Sequence, residues 1–461
     1  MFLNIVFRMK KKLLDFYCRL LSFFARKYIA KHKPLIIGIN WSVWKTSCRM
    51  IIYQTLCKFI NNKEIYTSSK NFNWELWLSL AIFKIEEFSP TPFCIIKTLC
   101  SVMWMCLFWK KPYDITILEY WIDHPWEMEF LLQIVRPQIW VFTAIDSVHS
   151  MQFGNPKNIA KEEKKMIQNT LEFALLNIDD SDAMSLVDDI EIDYLTYQTQ
   201  WYDSKWDITF SNEKFDYKDE NLFSNFGLSI RQKNINITTN ILWKANYGYI
   251  WVALAILDII NYKDWKASIF DSFDKIFLEY KLQWWRLSVF NWLYDSILFD
   301  STYNSSPLSV QKILNTVYSI KNDLFSDSEI RVMLGDMREL WDLTESDHRK
   351  IASYVHSVAD RLFLVWENMR KYLKDELEKI WYDMSKVEEF NDSITLWNFV
   401  KEELKKSNWR KLIVWKGSQN TIYLEEAIKI LLANDEDAKN LVRQSNWWLK
   451  KKKKFFDSLE K

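Results

Sequence analysis

A run of apolar residues, Pro34-Leu-Ile-Ile-Gly-Ile-Asn40, passes into Trp-Ser-Val-Trp-Lys-Thr-Ser47 and then into a helical pattern. That order suits a phosphate-binding loop. Backbone N–H groups at a helix N-terminus face the anion, a lysine reaches the β and γ phosphates, and a hydroxyl joins Mg²⁺. Lys45 and Thr46 supply the last two, with Ser42 and Ser47 beside them. Close backbone approach demands positions without side chains. Trp41 and Trp44 stand at those positions, and an indole at either would fill the space of a phosphate.

The conflict extends to the composition. The chain of 461 residues contains 25 Trp and 6 Gly, whereas average usage gives about 32 Gly at this length. The two types together come close to that figure. A gene in which UGA encodes glycine, translated with a table that assigns UGA to Trp, produces this pattern. The sequence therefore predicts that most Trp positions are places where the fold needs glycine. Trp104 and Trp448 are read as genuine, since their surroundings suit an aromatic anchor.

Such a loop needs a strand before it and a helix after it. Strand-like runs at 34–40, 115–120 and 138–144, each followed by a polar turn and a helical stretch, predict a doubly wound α/β sheet. A second series at 296–299, 330–334, 362–365 and 412–414 predicts another α/β domain, joined near residues 280–300. Leu13, Tyr17, Leu20, Phe24 and Tyr28 place an amphipathic helix over 10–31, docked on the body of the protein, with peripheral attachment to an anionic membrane as the alternative. Residues 93–108 are apolar but short and carry Lys97, which predicts a buried helix and not a membrane span. The run Lys450 to Lys454 reads as a solvated helix end.

The totals exclude several classes. A net charge of +1, from 61 basic and 60 acidic residues, removes any global electrostatic case for nucleic acid. Six Cys and five His form no CxxC pair and no cluster at metal spacing, which argues against zinc. Cys94, Cys100 and Cys106 are read as buried free thiols of a cytosolic protein. Arg8, Lys10, Lys11 and Lys12 interrupt the apolar start, so no cleavable signal peptide is read there.

With glycine at 41 and 44 the loop becomes G-S-V-G-K-T-S, which resembles the phosphate loop of the Mur ligase family. Further blocks follow in the family's order. Thr67 to Leu80, TSSKNFNWELWLSL, resembles a loop that places Asn71 and Asn73 around substrate and phosphates, with Trp74 and Trp77 as hidden glycines. ITILEYW at 115–121 resembles the strand that presents a Mg²⁺-binding carboxylate, Glu119, before a glycine. The segment from Trp140 to His149 resembles the strand and loop ending in the family's metal-site histidine. Asn177-Ile-Asp-Asp180 resembles the block at the adenine pocket, with Asn177 as the base contact.

Gln283-Trp-Trp-Arg-Leu287 resembles the opening of the C-terminal domain and gives Arg286 a phosphate role. Asp300-Ser-Thr-Tyr-Asn-Ser-Ser-Pro307 and Leu334-Gly-Asp-Met-Arg-Glu-Leu-Trp341, followed by His348, resemble the signatures of the D-alanyl-D-alanine-adding branch. Val414-Trp-Lys-Gly-Ser418 resembles a loop that closes on substrate, with Glu425 in the helix behind it. Trp121, Trp285, Trp341 and Trp415 are further glycine positions on this reading.

The resemblance implies an N-terminal helix (1–34), a central nucleotide-binding domain with a parallel sheet (35–282) and a Rossmann-like C-terminal α/β domain (283–461). It implies a cytoplasmic, ATP- and Mg²⁺-dependent ligase that makes an amide through an acyl phosphate, with closure of the C-terminal domain completing the site. Lys45, Arg286 and His149 would be catalytic. Thr46, Glu119, His149 and Glu163 would hold metal. Trp41, Ser42, Trp44, Ser47, Asn177 and Asp300 would contact nucleotide, and Asn71, Asn73, Tyr303, Asn304, Lys416 and Ser418 would contact substrate. The acceptor would be a UDP-linked muropeptide and the amine D-Ala-D-Ala.

Two features depart from the family. About 34 residues precede the phosphate strand, too few for the domain that holds a uridine nucleotide. The family's carbamylated lysine aligns with Glu163, or with Lys164 after a shift of one residue. The alternatives are a same-fold ligase of the poly-amino-acid or folate type, and a non-catalytic Trp-rich remnant.

Overall fold

The computed structural model describes residues 2–40, 45–68, 75–89, 91–108, 111–120, 122, 126–143, 156–179, 191–198, 208–230, 233–281, 288–292, 295–302, 305–338, 340–406, 410–418, 423–429, 432, 436, 438, 441, 443, 444 and 446–459. Helix α1 (Phe2–His32) leads into β1 (Leu35–Asn40), the interior of a six-stranded sheet. The sheet runs β2 (Ile65–Thr67), β3 (Ile115–Tyr120), β1, β4 (Ile139–Phe142), β5 (Phe173–Asn177) and β6 (Asp193–Tyr197). Every neighbouring pair is parallel. A parallel strand covered on both faces is a continuous apolar run, and β1 is buried from Ile36 to Asn40. Gly38 has a steric cause: a β-carbon there would lie 2.9 Å from both Met166 Cε and Pro137 Cβ.

The intervening helices are α2 (Lys45–Phe59), α3 (Glu75–Ile82), α4 (Pro92–Phe108), α5 (Glu127–Ile134) and α6 (Pro156–Asn169). Helix α1 packs on α3, α4 and α5, with Tyr17, Leu21, Ala25 and Tyr28 in their shared core. The docked-helix expectation holds. Residues 93–108 are helical as expected but not buried: α4 turns Thr98, Val102 and Cys106 inward and exposes much of its apolar content. Of the three thiols read as buried, Cys106 is buried, Cys94 is half-buried and Cys100 is exposed.

An unexpected four-stranded sheet, β10-β9-β8-β7, follows, from β7 (Ile208–Lys218), β8 (Asn221–Ile230), β9 (Lys233–Thr239) and β10 (Lys275–Leu278). Asp219 and Glu220 join β7 to β8 with φ of 49° and 61°, as a two-residue hairpin turn requires. Between β9 and β10, helix α7 (Lys244–Lys263) is buried against α2.

The last sheet runs β11 (Ser288–Trp292), β12 (Ser296–Ser301), β16 (Lys411–Lys416), β13 (Glu329–Gly335), β14 (Arg361–Val365) and β15 (Val387–Phe390). It is parallel apart from the β11–β12 pair. Helix α8 (Pro307–Leu324) starts with proline at its first turn and a capping box between Ser306 and Ser309, which satisfies otherwise orphaned amides. The chain divides into two compact units: Met1–Phe210, Leu228–Ile235 and Lys244–Ile276 form the first, and Ser211–Gly227, Asn236–Trp243 and Phe277–Lys461 the second. The division at Ile276 precedes the expected joint, and α1 belongs to the first unit.

Among the described residues, four of the twelve non-glycine residues with left-handed φ are tryptophans: Trp126, Trp265, Trp366 and Trp381. Two of these end helices in the same way. After α7, Trp265 N–H donates to Tyr262 O and Lys266 N–H to Asn261 O. After α9 (Lys374–Lys379), Trp381 N–H donates to Glu378 O and Tyr382 N–H to Leu377 O. Both are Schellman turns, whose left-handed position glycine normally fills. The indoles add little packing there, being 96% and 91% exposed.

Of the Trp positions first read as glycine, Trp41, Trp44, Trp74, Trp121 and Trp285 lie outside the described residues, as does the Trp341 side chain. Trp77 packs edge-on against Phe88 and Trp415 is buried within β16. Among the described residues, the tryptophans with left-handed backbone differ from those marked by the motifs. A left-handed non-glycine residue costs about 1–2 kcal/mol, so Trp265→Gly and Trp381→Gly should each stabilise by about 1 kcal/mol. Urea unfolding should show a higher midpoint at unchanged slope, and Trp→Ala at either site should gain less. Alanine variants as stable as the glycine variants would contradict the assignment.

Candidate functional site

In the first unit, β1 ends at Asn40 and α2 begins at Lys45. Lys45, Thr46 and Ser47 are buried. On the neighbouring strand Glu119 pairs in register with Ile39, so its carboxylate stands at the C-terminal edge, where open α/β sheets bind ligands. Arg49, one turn into α2, is fully buried and places Nε 3.0 Å from Glu119 Oε1. The contact lacks hydrogen-bond alignment, whereas Arg49 Nη1 donates to Ser68 Oγ at 2.7 Å. One cation thus links α2, the end of β3 and the segment after β2.

Across β1, Trp140 Nε1 donates to Asn40 Oδ1 at 2.7 Å, and Thr143 Oγ1 donates to Asn40 O. Asn177, expected at the base, is buried with its amide engaged: Nδ2 donates to Thr143 O at 2.6 Å and Oδ1 accepts from Asp179 N–H. It ties the ends of β4 and β5 together. Asn40 Nδ2 and Ser47 Oγ are buried with no partner among the described residues, and such groups are costly unless something binds them. Their place beside the loop fits a polyanion. A hard cation would find Glu119 and the Thr46 hydroxyl there. No group of three or more His, Cys, Asp or Glu that could hold a metal occurs among the described residues.

In the second unit the C-terminal ends of β12, β16 and β13 converge. Asp300 Oδ1 accepts from Thr302 N–H at 2.9 Å and Thr302 Oγ1 at 2.7 Å, while Oδ2 is buried without a partner among the described residues. Lys416, in register with Ser301, donates to Ser301 O and Oγ. Burial pushes Asp300 up to about 6 against the pull of Thr302, and burial pushes Lys416 down to about 7 against the attraction of Asp300. Ser418 Oγ accepts from Arg338 N–H at 3.0 Å. His348 Nε2 accepts from Met337 N–H while Nδ1 meets Thr344 O. Burial lowers the pKa of this imidazole, so it is a neutral clasp on the turn after β13.

Sequence reading missed the ion cluster behind these residues. Glu425, in α10 (Leu424–Lys429), is fully buried and accepts two bonds of 2.7 Å from Arg443. Lys452, in α11 (Asn446–Leu459), lies 3.0 Å away. Burial would raise Glu425, but Arg443 and Lys452 hold it below the usual carboxylate range. Arg443 Nη2 also donates to Thr302 O at 3.0 Å, which fixes the turn that carries Asp300. The expected solvated lysine run is thus corrected at Lys452, which is 2% exposed because burying Glu425 demands a counter-charge.

Ser42, Asn71, Asn73, His149, Arg286, Tyr303 and Asn304 lie outside the described residues, as does the side chain of Glu163 in α6. Of the expected site residues, Lys45, Thr46, Ser47 and Glu119 gather in the first unit, and Asp300, Lys416 and Ser418 in the second. Arg49 had a signal, four residues after Lys45 on one helix face. Arg443 and Lys452 had none, since only the fold brings them to Glu425.

Residues 45–257 match the family model described as Mur ligase middle domain. The chain carries that domain, in the fold shared by Mur ligases. Among its relatives is UDP-N-acetylmuramoyl-tripeptide–D-alanyl-D-alanine ligase of Bacillus subtilis (strain 168), 21% identical over 88% of this chain and 78% of the relative. The enzyme with the same description from Borreliella burgdorferi is 22% identical over 81% and 72%. MurF from Acinetobacter baumannii superposes with a TM-score of 0.66 at 15% identity, over 90% of this chain and 79% of that one. MurF ligase from Thermotoga maritima in complex with ADP gives 0.63 at 15%, over 91% and 84%. A point mutant of L. casei FPGS gives 0.55 at 11%, over 90% and 94%.

Two outcomes follow for the second unit. Asp300→Asn removes a carboxylate whose stabilising contribution is complete below about pH 4 and is lost as pH rises through about 6. The stability difference, variant minus parent, should therefore grow over that interval and level off by about 3 kcal/mol. A flat difference in urea unfolding across this range would contradict the burial of Asp300. Glu425→Gln removes the buried charge that Arg443 pairs with, while Lys452 keeps Glu426 at 2.5 Å, and should cost about 3 kcal/mol, measured in the same way.

Proposed function

We propose that the chain is an ATP-dependent ligase that adds D-Ala-D-Ala to a UDP-linked muropeptide. The observation that carries this reading is the β1–α2 junction, where Lys45 and Thr46 are buried at the start of α2 and Glu119 ends the strand paired with β1, inside a Mur ligase middle domain. A substrate carboxylate oxygen attacks the γ phosphorus of ATP, ADP leaves, and an acyl phosphate forms. The amine nitrogen then attacks the acyl carbon, phosphate leaves, and the nitrogen loses a proton. Lys45 and Arg286 neutralise the charge of the transferring phosphoryl group. Mg²⁺, when bound, supplies further neutralisation on the phosphate oxygens, and Thr46, Glu119, His149 and Glu163 are its proposed ligands. Asp300 is the proposed nucleotide contact of the second unit, and Lys416 and Ser418 are its proposed substrate contacts.

In this reading positions 41 and 44 are glycine in the working protein, as the phosphate loop requires. A chain with Trp41→Gly and Trp44→Gly should bind ATP by calorimetry, and the chain with both indoles should not. Equal binding by the two would overturn the assignment of these positions. In the glycine form, ADP release should require both muropeptide and D-Ala-D-Ala, and Lys45→Ala or Glu119→Gln should each lower kcat by about a hundredfold or more. Full activity in either variant would contradict the proposed chemistry. A second reading, a ligase of this fold with another acceptor, is favoured by the 94% coverage of the FPGS chain. ADP release that ignores the muropeptide and follows a different carboxylate would select it.

A further inference from the structure

Helix α4 is apolar on both sides, unlike an ordinary surface helix, which exposes polar residues: Ile95, Leu99 and Met105 pack against the core of the first unit, and further apolar side chains point away from it. Its buried positions are Thr98, Val102 and Cys106. Its exposed positions are Phe93, Ile96, Met103, Trp104, Leu107 and Phe108, with Phe93 78% and Leu107 71% exposed. At the helical repeat these positions fall within one arc and form a stripe along the helix. Five of the six are not tryptophan, so the stripe survives a glycine at 104. The charge within α4 is a single lysine, Lys97.

The neighbouring helix α1 supplies the missing charge. It holds eight Lys or Arg against one Asp, in a chain whose net charge is only +1. Its outward side alternates Phe16 and Phe23 with Arg19, Arg26 and Lys27, all exposed. No helix among the described residues is long and apolar enough to cross a membrane. Adjacent helices that combine exposed aromatics with unbalanced cations suit the interface of an anionic bilayer, where rings sit at headgroup depth and cations meet lipid phosphate. A second copy of this face would set like charge against like. The acids near α4, Glu86 and Glu87, lie in the segment before it, not on the stripe.

We propose that α1 and α4 form a membrane-docking face for anionic lipid, with α4 inserting its apolar stripe and α1 providing electrostatic attraction. The full chain should co-sediment with vesicles of phosphatidylcholine and phosphatidylglycerol, and at least tenfold less with vesicles of phosphatidylcholine alone. Leu107→Ser with Phe108→Ser should weaken binding to the anionic vesicles at least tenfold. Arg26→Gln with Lys27→Gln should weaken it and reduce its salt dependence. Far-ultraviolet circular dichroism and the melting temperature should stay unchanged in both double variants, whose altered residues face outward. Equal binding to both vesicle types, no binding to either, or wild-type binding by the serine variant would overturn the proposal. So would dimerisation of the parent chain in light scattering that the serine variant abolishes while vesicles capture nothing.

Discussion

A β-carbon has almost no room when the backbone turns left-handed, and much of this chain depends on where that constraint is met. The turn after α7 and the turn after α9 each close two backbone hydrogen bonds around such a residue. In both, the letter at that position is Trp, the side chain least suited to it. Those closures end the 20-residue helix α7 and the short helix α9. The phosphate loop imposes a related demand for a different reason, since there the missing β-carbon makes room for an anion. The proposed reading of glycine for tryptophan at such positions would account for composition, helix ends and loop together.

Electrostatics organises each unit in its own way. The first brings Arg49 to Glu119 and Ser68 at the edge of the parallel sheet, next to buried polar atoms that have no partner among the described residues. The second buries Glu425 between Arg443 and Lys452 and uses the same arginine to hold the carbonyl of Thr302. Buried ion clusters of this kind add little net stability but break at high cost. Here the cluster fixes the turn that presents Asp300. The charges proposed to bind ligand and the ion cluster behind them are distinct sets of residues.

Much of this was legible in the sequence because it is local. The strand at 34–40 is an apolar run that ends in a polar segment, and the carboxylates at 119 and 300 were legible through short local blocks that resemble those of Mur ligases. The sheet formed by residues 208–278 was not legible, since its strands mix polar and apolar residues with weak alternation. The ion cluster was hidden for another reason: Lys452 reads as one of five solvated lysines until the fold carries it to Glu425. Helix α4 shows the opposite limit, because an apolar run predicts burial only if the protein has something to cover it.

The central claim is that residues 41 and 44 carry no side chain in the protein that cells make. Mass spectrometry of the peptide spanning residues 34–45, taken from protein produced by its own organism, tests it most directly. The expected result is glycine at both positions. Tryptophan at both would contradict the account, because the phosphate loop could not then receive a nucleotide.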